Sequence, residues 1–232
     1  MIPEEITDSL IIFFAEHFSG KLEILSSDSL PGGCINNVCR LKTNFGDFCI
    51  KYNRRTAYPG MFESEAKGLF LLKEANEIRV PGVIHTGFGN HYSYLLLEFV
   101  SSGSPISMLM DDFGHSIARL HRHTALIISY LRKILHCYMV IYGEGTGLVA
   151  ENGKACLIDP AVYYGHREID IAMTMLFGGF DNIFYAAYQD EFPLENGWKE
   201  RLEIYNLYPL LIHLNLFGSG YLGQIESIVR KY

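Results

Sequence analysis

The sequence has few cysteines, few basic residues and no long apolar run. Its five cysteines are an odd number, and they are scattered without the spacing of metal ligands. Lys and Arg total 19 against 26 Asp and Glu and form no run, which argues against a nucleic-acid surface. No apolar stretch approaches the ~18 residues of a membrane span, and the N-terminus is acidic where a signal peptide is basic. We therefore expect a reduced, cytoplasmic protein that binds neither nucleic acid nor membrane.

The chain has enough apolar material for a substantial core. Hydrophobic residues make up 49% of its 232 residues, and aromatic residues make up 13%. This length allows one large domain or two smaller lobes around a cleft.

The first hundred residues show a readable order of elements. We expect strands at residues 21–25, 38–43 and 48–53, turns at 31–37 and 44–47, and a helix at 61–75. Alternation in the third strand puts Phe48, Ile50 and Tyr52 on the core face and leaves Lys51 on the opposite face. Glu65 falls within the apolar stripe of the helix, where an unpaired carboxylate is costly. The pattern therefore predicts that Lys51 and Glu65 pair.

A linker follows the buried strand at residues 94–100. Composition changes abruptly there to small and polar residues at 101–105, which predicts a boundary between lobes at residues 1–100 and 101–232. In a two-lobed nucleotide-binding protein, the backbone of Glu98, Phe99 and Val100 would seat adenine. An ordinary strand end is the alternative interpretation.

A tight hairpin and a buried strand precede a second acidic position. Apolar residues 148–150 and 155–158 flank an Asn-Gly turn, a hairpin signal because both residues tolerate positive φ. The strand delivers Asp159 onto a turn, and Asp170 follows eleven residues later. Helices are expected near residues 183–188, 198–208, 209–217 and 222–230.

Together these parts match the way a kinase holds ATP. Glycines such as Gly32 and Gly33 let the backbone approach phosphates, a strand lysine binds them, and a helix glutamate aims the lysine. A carboxylate such as Asp159 then holds Mg²⁺. Each part alone has an ordinary structural explanation, such as a common turn or a solvated lysine. The interpretation as an ATP site rests on the order and spacing of all the parts along the chain.

Several segments resemble the fructosamine/ketosamine-3-kinase family. They are residues 32–37, 49–53, 61–69, 79–81, 118–124, 158–170 and 214–223. The resemblance implies an α+β, two-lobed protein-kinase-like fold of the aminoglycoside-phosphotransferase type, with an antiparallel-sheet N-lobe and a mostly helical C-lobe. It implies ATP and Mg²⁺ as cofactors and phosphorylation of the sugar 3-hydroxyl of a ketosamine or glycated amine. The expected assembly is a monomer or weak homodimer.

One motif of that family is missing. The family carries His-Gly-Asp-Leu-Trp-x-Gly-Asn before the hairpin, with the Asp as catalytic base and the Asn on magnesium. Residues 135–146 contain neither Asp nor Asn, and several dozen preceding residues are also absent. Codons for residues 138–146 can encode the full motif in a neighbouring frame. We interpret residues 126–146 as an out-of-frame translation and leave the catalytic residue unassigned, with divergence of a loop as the alternative.

The sequence also supports interpretations of activity, of two histidines and of one cysteine. The chain is expected to be inactive in phosphotransfer as written. The alternatives are a nucleotide-binding pseudokinase that acts as a partner module, and a kinase for another alcohol such as an aminoglycoside or choline. His121 and His123 are expected to be surface and interface groups rather than a metal pair. Cys34, in the glycine-rich turn, is a candidate redox-sensitive thiol.

Overall fold

The computed structural model describes residues 2–30, 35–125, 133–138, 149–158, 160–176 and 178–232. Its helices are α1 (Glu4–His17), α2 (Met61–Ala75), α3 (Leu109–Leu120), α4 (Glu168–Leu176), α5 (Asn182–Glu191), α6 (Trp198–Phe217) and α7 (Leu222–Val229). Its strands are β1 (Ile24–Ser29), β2 (Asn37–Thr43), β3 (Gly46–Arg54), β4 (Val83–Phe88), β5 (Tyr92–Glu98), β6 (Thr124–Ala125), β7 (Lys133–Tyr138) and β8 (Ala161–Gly165).

Packing divides the chain into two compact units. Unit 1 comprises Met1–Ile106 and Val140–Pro160, and unit 2 comprises Ser107–Met139 and Ala161–Tyr232. Unit 1 carries an antiparallel five-stranded sheet and unit 2 carries most of the helices, so the α+β prediction is confirmed. The lobe boundary at residues 100 and 101 stays a prediction.

The sheet of unit 1 has the order β1-β2-β3-β5-β4, with every neighbouring pair antiparallel. Helix α1 covers one face, where Ile6, Leu10 and Phe14 pack in a core cluster with Ile50. Phe48 and Tyr52 are partly buried against that cluster, which confirms the predicted core face of β3. Helix α2 lies against β4 and β5 and starts and ends at the predicted residues.

Two strand predictions need correction at their ends. The first strand runs over Ile24–Ser29 rather than 21–25, because the Asn44 side chain holds the backbone of Lys21 and Glu23 at the turn instead of in the ladder. Strand β5 ends at Glu98, two residues earlier than expected. At this end of the strand, the Glu98 N–H donates to the carbonyl of Gly82 at 2.8 Å.

The predicted hairpin is present within the described residues 149–158. Val149 bridges Ala155, and the Ala150 N–H donates to the carbonyl of Lys154 at 2.9 Å. Gly153 has φ +77°, but Asn152 does not have the positive φ that the sequence suggested. Its side-chain oxygen instead accepts from the Lys154 N–H at 3.0 Å. A three-residue loop with one glycine in the left-handed region needs only that glycine to be permissive.

The hairpin is fixed to the predicted linker by close backbone approach. The Gly103 N–H donates to the carbonyl of Val149, and the Ile106 N–H donates to that of Gly153, both at 3.1 Å. A Cβ on Gly103 would lie 2.3 Å from the carbonyl oxygen of Ala150. Only glycine permits this contact.

Unit 2 is built from helix pairs and a small sheet. Helix α3 packs against α5 and α4 against α6, while β6, β7 and β8 form an antiparallel sheet in that order. The sequence predicted a helix break between residues 208 and 209, and this is wrong. Pro209 is buried inside the continuous helix α6. Within the described residues, no helix is long and apolar enough to cross a membrane.

Candidate functional site

The side chains of Lys51 and Glu65 form an ion pair in unit 1. The Lys51 Nζ lies 2.6 Å from the Glu65 Oε1, and the two side chains are only 8% and 10% exposed. Strand β3 turns the lysine away from the α1 core, and α2 presents the glutamate on its buried stripe beside Phe62, Ala66 and Leu69. The predicted pairing is therefore confirmed.

The burial of this pair makes it expensive to disrupt. Removal of one partner of a buried ion pair leaves an uncompensated charge, which typically costs about 3–5 kcal/mol. Replacement of both partners by apolar residues is often neutral. Burial alone thus gives no reason to keep the charges, and a role in binding an anion would give one.

The carboxylate of Glu98 is engaged by protein groups. The Arg79 Nη2 donates to its Oε1 at 2.8 Å, and the Gly82 N–H donates to its Oε2 at 3.0 Å. Both contacts turn the side chain toward the loop before β4. Any contact of Glu98 with a nucleotide base would therefore use its backbone and not its carboxylate.

The ring of Phe99 is likewise engaged. The Arg40 guanidinium lies over it, 4.2 Å from the ring centroid, and the Arg40 Nε donates to Asp47 at 2.8 Å. Val100 is half-buried and follows the end of the strand. Because the first two side chains have protein partners, the backbone of residues 98–100 is what this segment offers to a ligand.

Arg79 also connects the hairpin at residues 149–158 to the end of β5. Its Nη2 lies 3.0 Å from the Glu151 Oε1, and its carbonyl accepts from the Leu157 N–H at 2.9 Å. The neighbouring Cys156 is buried, which raises the pKa of its thiol to about 12, with Arg79 opposing part of the shift. Arg79 therefore joins the end of β5 to the segment at residues 155–158, where the structure has isolated bridges rather than the predicted strand. Its sequence context gave no signal of this role.

Four of the predicted site positions lie outside the described residues. These are Gly32, Gly33 and Cys34 in the glycine-rich turn, together with Asp159. Within the described part of the chain, no three His, Cys, Asp or Glu side chains cluster as a metal site. The magnesium and redox predictions therefore remain predictions.

A buried polar network in unit 2 corrects the interpretation of His121. This residue caps the C-terminus of α3 and is fully buried, whereas His123 is exposed as expected. The His121 Nε2 lies 3.0 Å from the Asp170 Oδ2, and its Nδ1 lies 2.8 Å from the Tyr188 hydroxyl. Burial raises the pKa of Tyr188. Sequence spacing missed the burial because both partners lie on distant helices.

A second buried carboxylate in unit 2 binds an arginine. Glu168 is fully buried, and the Arg201 Nε and Nη2 donate to its two oxygens at 2.8 and 2.7 Å. This bidentate geometry is the strongest form of such a pair. Helix α4 thus carries two buried carboxylates with different partners, Glu168 with Arg201 and Asp170 with His121.

The fold belongs to the protein-kinase-like class. The structure superposes on a Haemophilus somnus 129PT structure described as a fructosamine-3-kinase with a TM-score of 0.81, at 22% identity and 96% coverage of both chains. It also resembles an aminoglycoside-3'-phosphotransferase of type VIII, with a TM-score of 0.52 at 17% identity, covering 88% of this chain and 97% of the other. At these identities the similarity defines the fold alone.

Sequence comparison identifies the family. The fructosamine kinase family profile matches residues 7–127 and 142–232, so the chain belongs to the fructosamine kinase family. The chloroplastic protein-ribulosamine 3-kinase of Arabidopsis thaliana is 28% identical, over 90% of this chain and 83% of its own length. That alignment extends over 278 positions, more than this chain has residues, so the relative has residues without a counterpart here. The profile match is interrupted at 128–141, inside residues 126–146, which we interpret as an out-of-frame translation.

Proposed function

We propose that this chain carries the ATP-binding residues of a ketosamine 3-kinase and that the 232-residue chain lacks phosphotransfer activity. The buried Lys51–Glu65 pair carries the proposal, because kinases use such a pair to hold ATP phosphates. Family membership supports ATP use and a ketosamine substrate such as a ribulosamine or fructosamine.

Three parts of unit 1 would contribute to ATP binding. Lys51 would contact phosphate oxygens, Glu65 would keep its ammonium group in place, and the backbone of residues 98–100 would bind adenine. Gly32 and Gly33 would bring backbone N–H groups to the phosphates. Asp159 would hold Mg²⁺, which neutralises phosphate charge when bound.

The proposed loss of activity rests on missing chemistry. The substrate hydroxyl needs a carboxylate to accept its proton, and magnesium needs a second ligand. Residues 126–147 contain a single carboxylate, Glu144, and no Asn. The profile interruption and the longer relative support a lost segment there. The lack of an Asp and an Asn at residues 126–147 favours a second candidate function, a nucleotide-binding pseudokinase that acts as a partner module.

The experiment compares the 232-residue chain with a rebuilt version that carries the family motif and the missing segment. We expect both to bind ATP and only the rebuilt chain to phosphorylate a ribulosamine or fructosamine. Choline and an aminoglycoside serve as control acceptors that test the alternative of another alcohol. Comparable turnover in the two chains would refute the proposed inactivity. Failure of both chains to bind ATP would refute the nucleotide site.

A further inference from the structure

Unit 2 contains a cavity of about 340 Å³ whose lining includes none of the residues assigned to ATP. Helices α4 and α5, the segment between α5 and α6, and the first turn of α6 form its walls. Small-molecule sites in proteins span about 300–1,000 Å³, so this cavity has room for a small ligand. Its lining decides which kind of ligand it fits.

The buried part of the lining is apolar. Ile171 of α4 is 1% exposed, and Leu194 of the segment before α6 is 8% exposed. Gly197, with φ +77°, precedes α6 and places Trp198 in the first turn, where its half-buried indole lines the cavity. An indole that is not fully covered offers flat apolar surface to a ligand ring.

Two tyrosines of α5 add further ring surface. The Tyr185 hydroxyl accepts from the Phe180 N–H and bonds to the Thr174 Oγ1, both at 3.0 Å. The Tyr188 hydroxyl lies 2.8 Å from the His121 Nδ1. Because both hydroxyls bond to protein groups, these residues present their rings to the cavity.

The polar groups that remain for a ligand are donors. Gln189 is exposed, and its Oε1 accepts from the Leu194 N–H at 3.1 Å, which leaves the amide N–H groups as the end that a ligand can use. Lys199 is exposed, with its Nζ 5.6 Å from the centroid of the Trp198 ring. Among the described lining residues there is no carboxylate. The cavity therefore combines aromatic walls with hydrogen-bond donors and one positive charge.

We propose that this cavity binds a small aromatic carboxylate. The ligand ring packs against Trp198 and the tyrosine rings, and its carboxylate accepts from Gln189 and Lys199. A neutral aromatic amide keeps the ring contact and loses the charge pairing, whereas acetate keeps the charge and loses the ring contact. This inference goes beyond the proposed kinase function and does not depend on it.

Trp198 is the only tryptophan of the chain, so its fluorescence reports on the cavity directly. The test titrates the 232-residue chain with phenylacetate, phenylacetamide and acetate. We expect phenylacetate to change the fluorescence saturably, with a dissociation constant on the order of 1 mM. Phenylacetamide should bind about threefold more weakly, because an exposed ion pair contributes little, and acetate should give no saturable change.

Two variants and a control locate the ligand. Lys199→Met should abolish the preference for the acid over the amide, whereas Lys42→Met, which removes an exposed lysine of β2, should leave that preference unchanged. Ala186 is an exposed wall residue of α5, and Ala186→Tyr should weaken both aromatic ligands about tenfold because the larger side chain occupies the cavity.

Melting curves of the variants check that each is folded before it is titrated. A fluorescence response to phenylacetate that never saturates would overturn the site. Equal affinities for acid and amide, or equal effects of the two lysine variants, would overturn the assigned ligand class. Unchanged affinities in Ala186→Tyr would overturn the location.

Discussion

Among the described residues of unit 1, the most buried charged pair joins a strand to the next helix, whereas in unit 2 buried charge joins helices that are far apart in sequence. Lys51 and Glu65 are separated by 14 residues, and the pair lies on the sheet face opposite the α1 core. Glu168 and Arg201 are separated by 33 residues and connect α4 to α6. On the proposed function, charge serves binding in unit 1 and architecture in unit 2.

The largest expected effect comes from breaking the pair of unit 1. Lys51→Met should lower the free energy of unfolding by about 3–5 kcal/mol, because Glu65 keeps a buried charge without its ammonium partner. The double variant Lys51→Met with Glu65→Leu should recover most of that loss in urea titrations, since no charge remains. It should not recover ATP binding.

Arg230→Met is the control, because it removes an exposed pair with Glu226 that contributes little to stability. A double variant that still binds ATP as the parent does would remove Lys51 from the site. A stable single variant would contradict the cost that we assign to the buried charge.

A smaller effect is expected from the pair of unit 2. Arg201→Met leaves the fully buried Glu168 without its bidentate partner, and we expect a fall of about 5–10 °C in the melting temperature. ATP affinity should not change, because this pair serves architecture. Calorimetry and a binding titration test both statements, again with Arg230→Met as the control. A selective loss of ATP affinity at unchanged melting temperature would reverse the comparison.

The smallest expected effect is a pH dependence carried by His85 of unit 1. Burial, with His17 nearby, lowers the pKa of His85, whose ring stacks on Phe13 at 4.0 Å and lies 5.8 Å from that of Tyr94. A lowered pKa means that the unfolded chain binds more protons, so stability falls as pH drops through about 6.5 toward the folded-state pKa. His85→Phe keeps the stacking and should flatten the stability profile between pH 7 and 5. An unchanged slope would assign the effect to other groups.

The same comparison explains which features the sequence could predict. The faces of Lys51 and Glu65 follow from local periods of two and 3.6 residues in adjacent elements, so the pair could be found without the fold. His121 contacts Asp170 and Tyr188, which lie 49 and 67 residues away. Arg79 reaches Glu151 across a similar distance. No local period encodes such contacts, because the packing of elements that are distant in sequence decides them.

The junction between Gly103 and Ala150 has a consequence for how this family can tolerate changes of length. The chain leaves unit 1 after residue 106 and has returned by residue 149. Main-chain hydrogen bonds join the residues on either side of this segment. The chain between these ends, which includes α3 of unit 2, therefore joins two points of unit 1 that main-chain bonds already hold together. Loop-closure entropy grows only slowly with length, so a gain or loss of dozens of residues there changes the entropic cost of closing this segment of unit 1 only slightly. On the proposed function, the ATP-binding parts of unit 1 can in this way persist where the catalytic segment is lost.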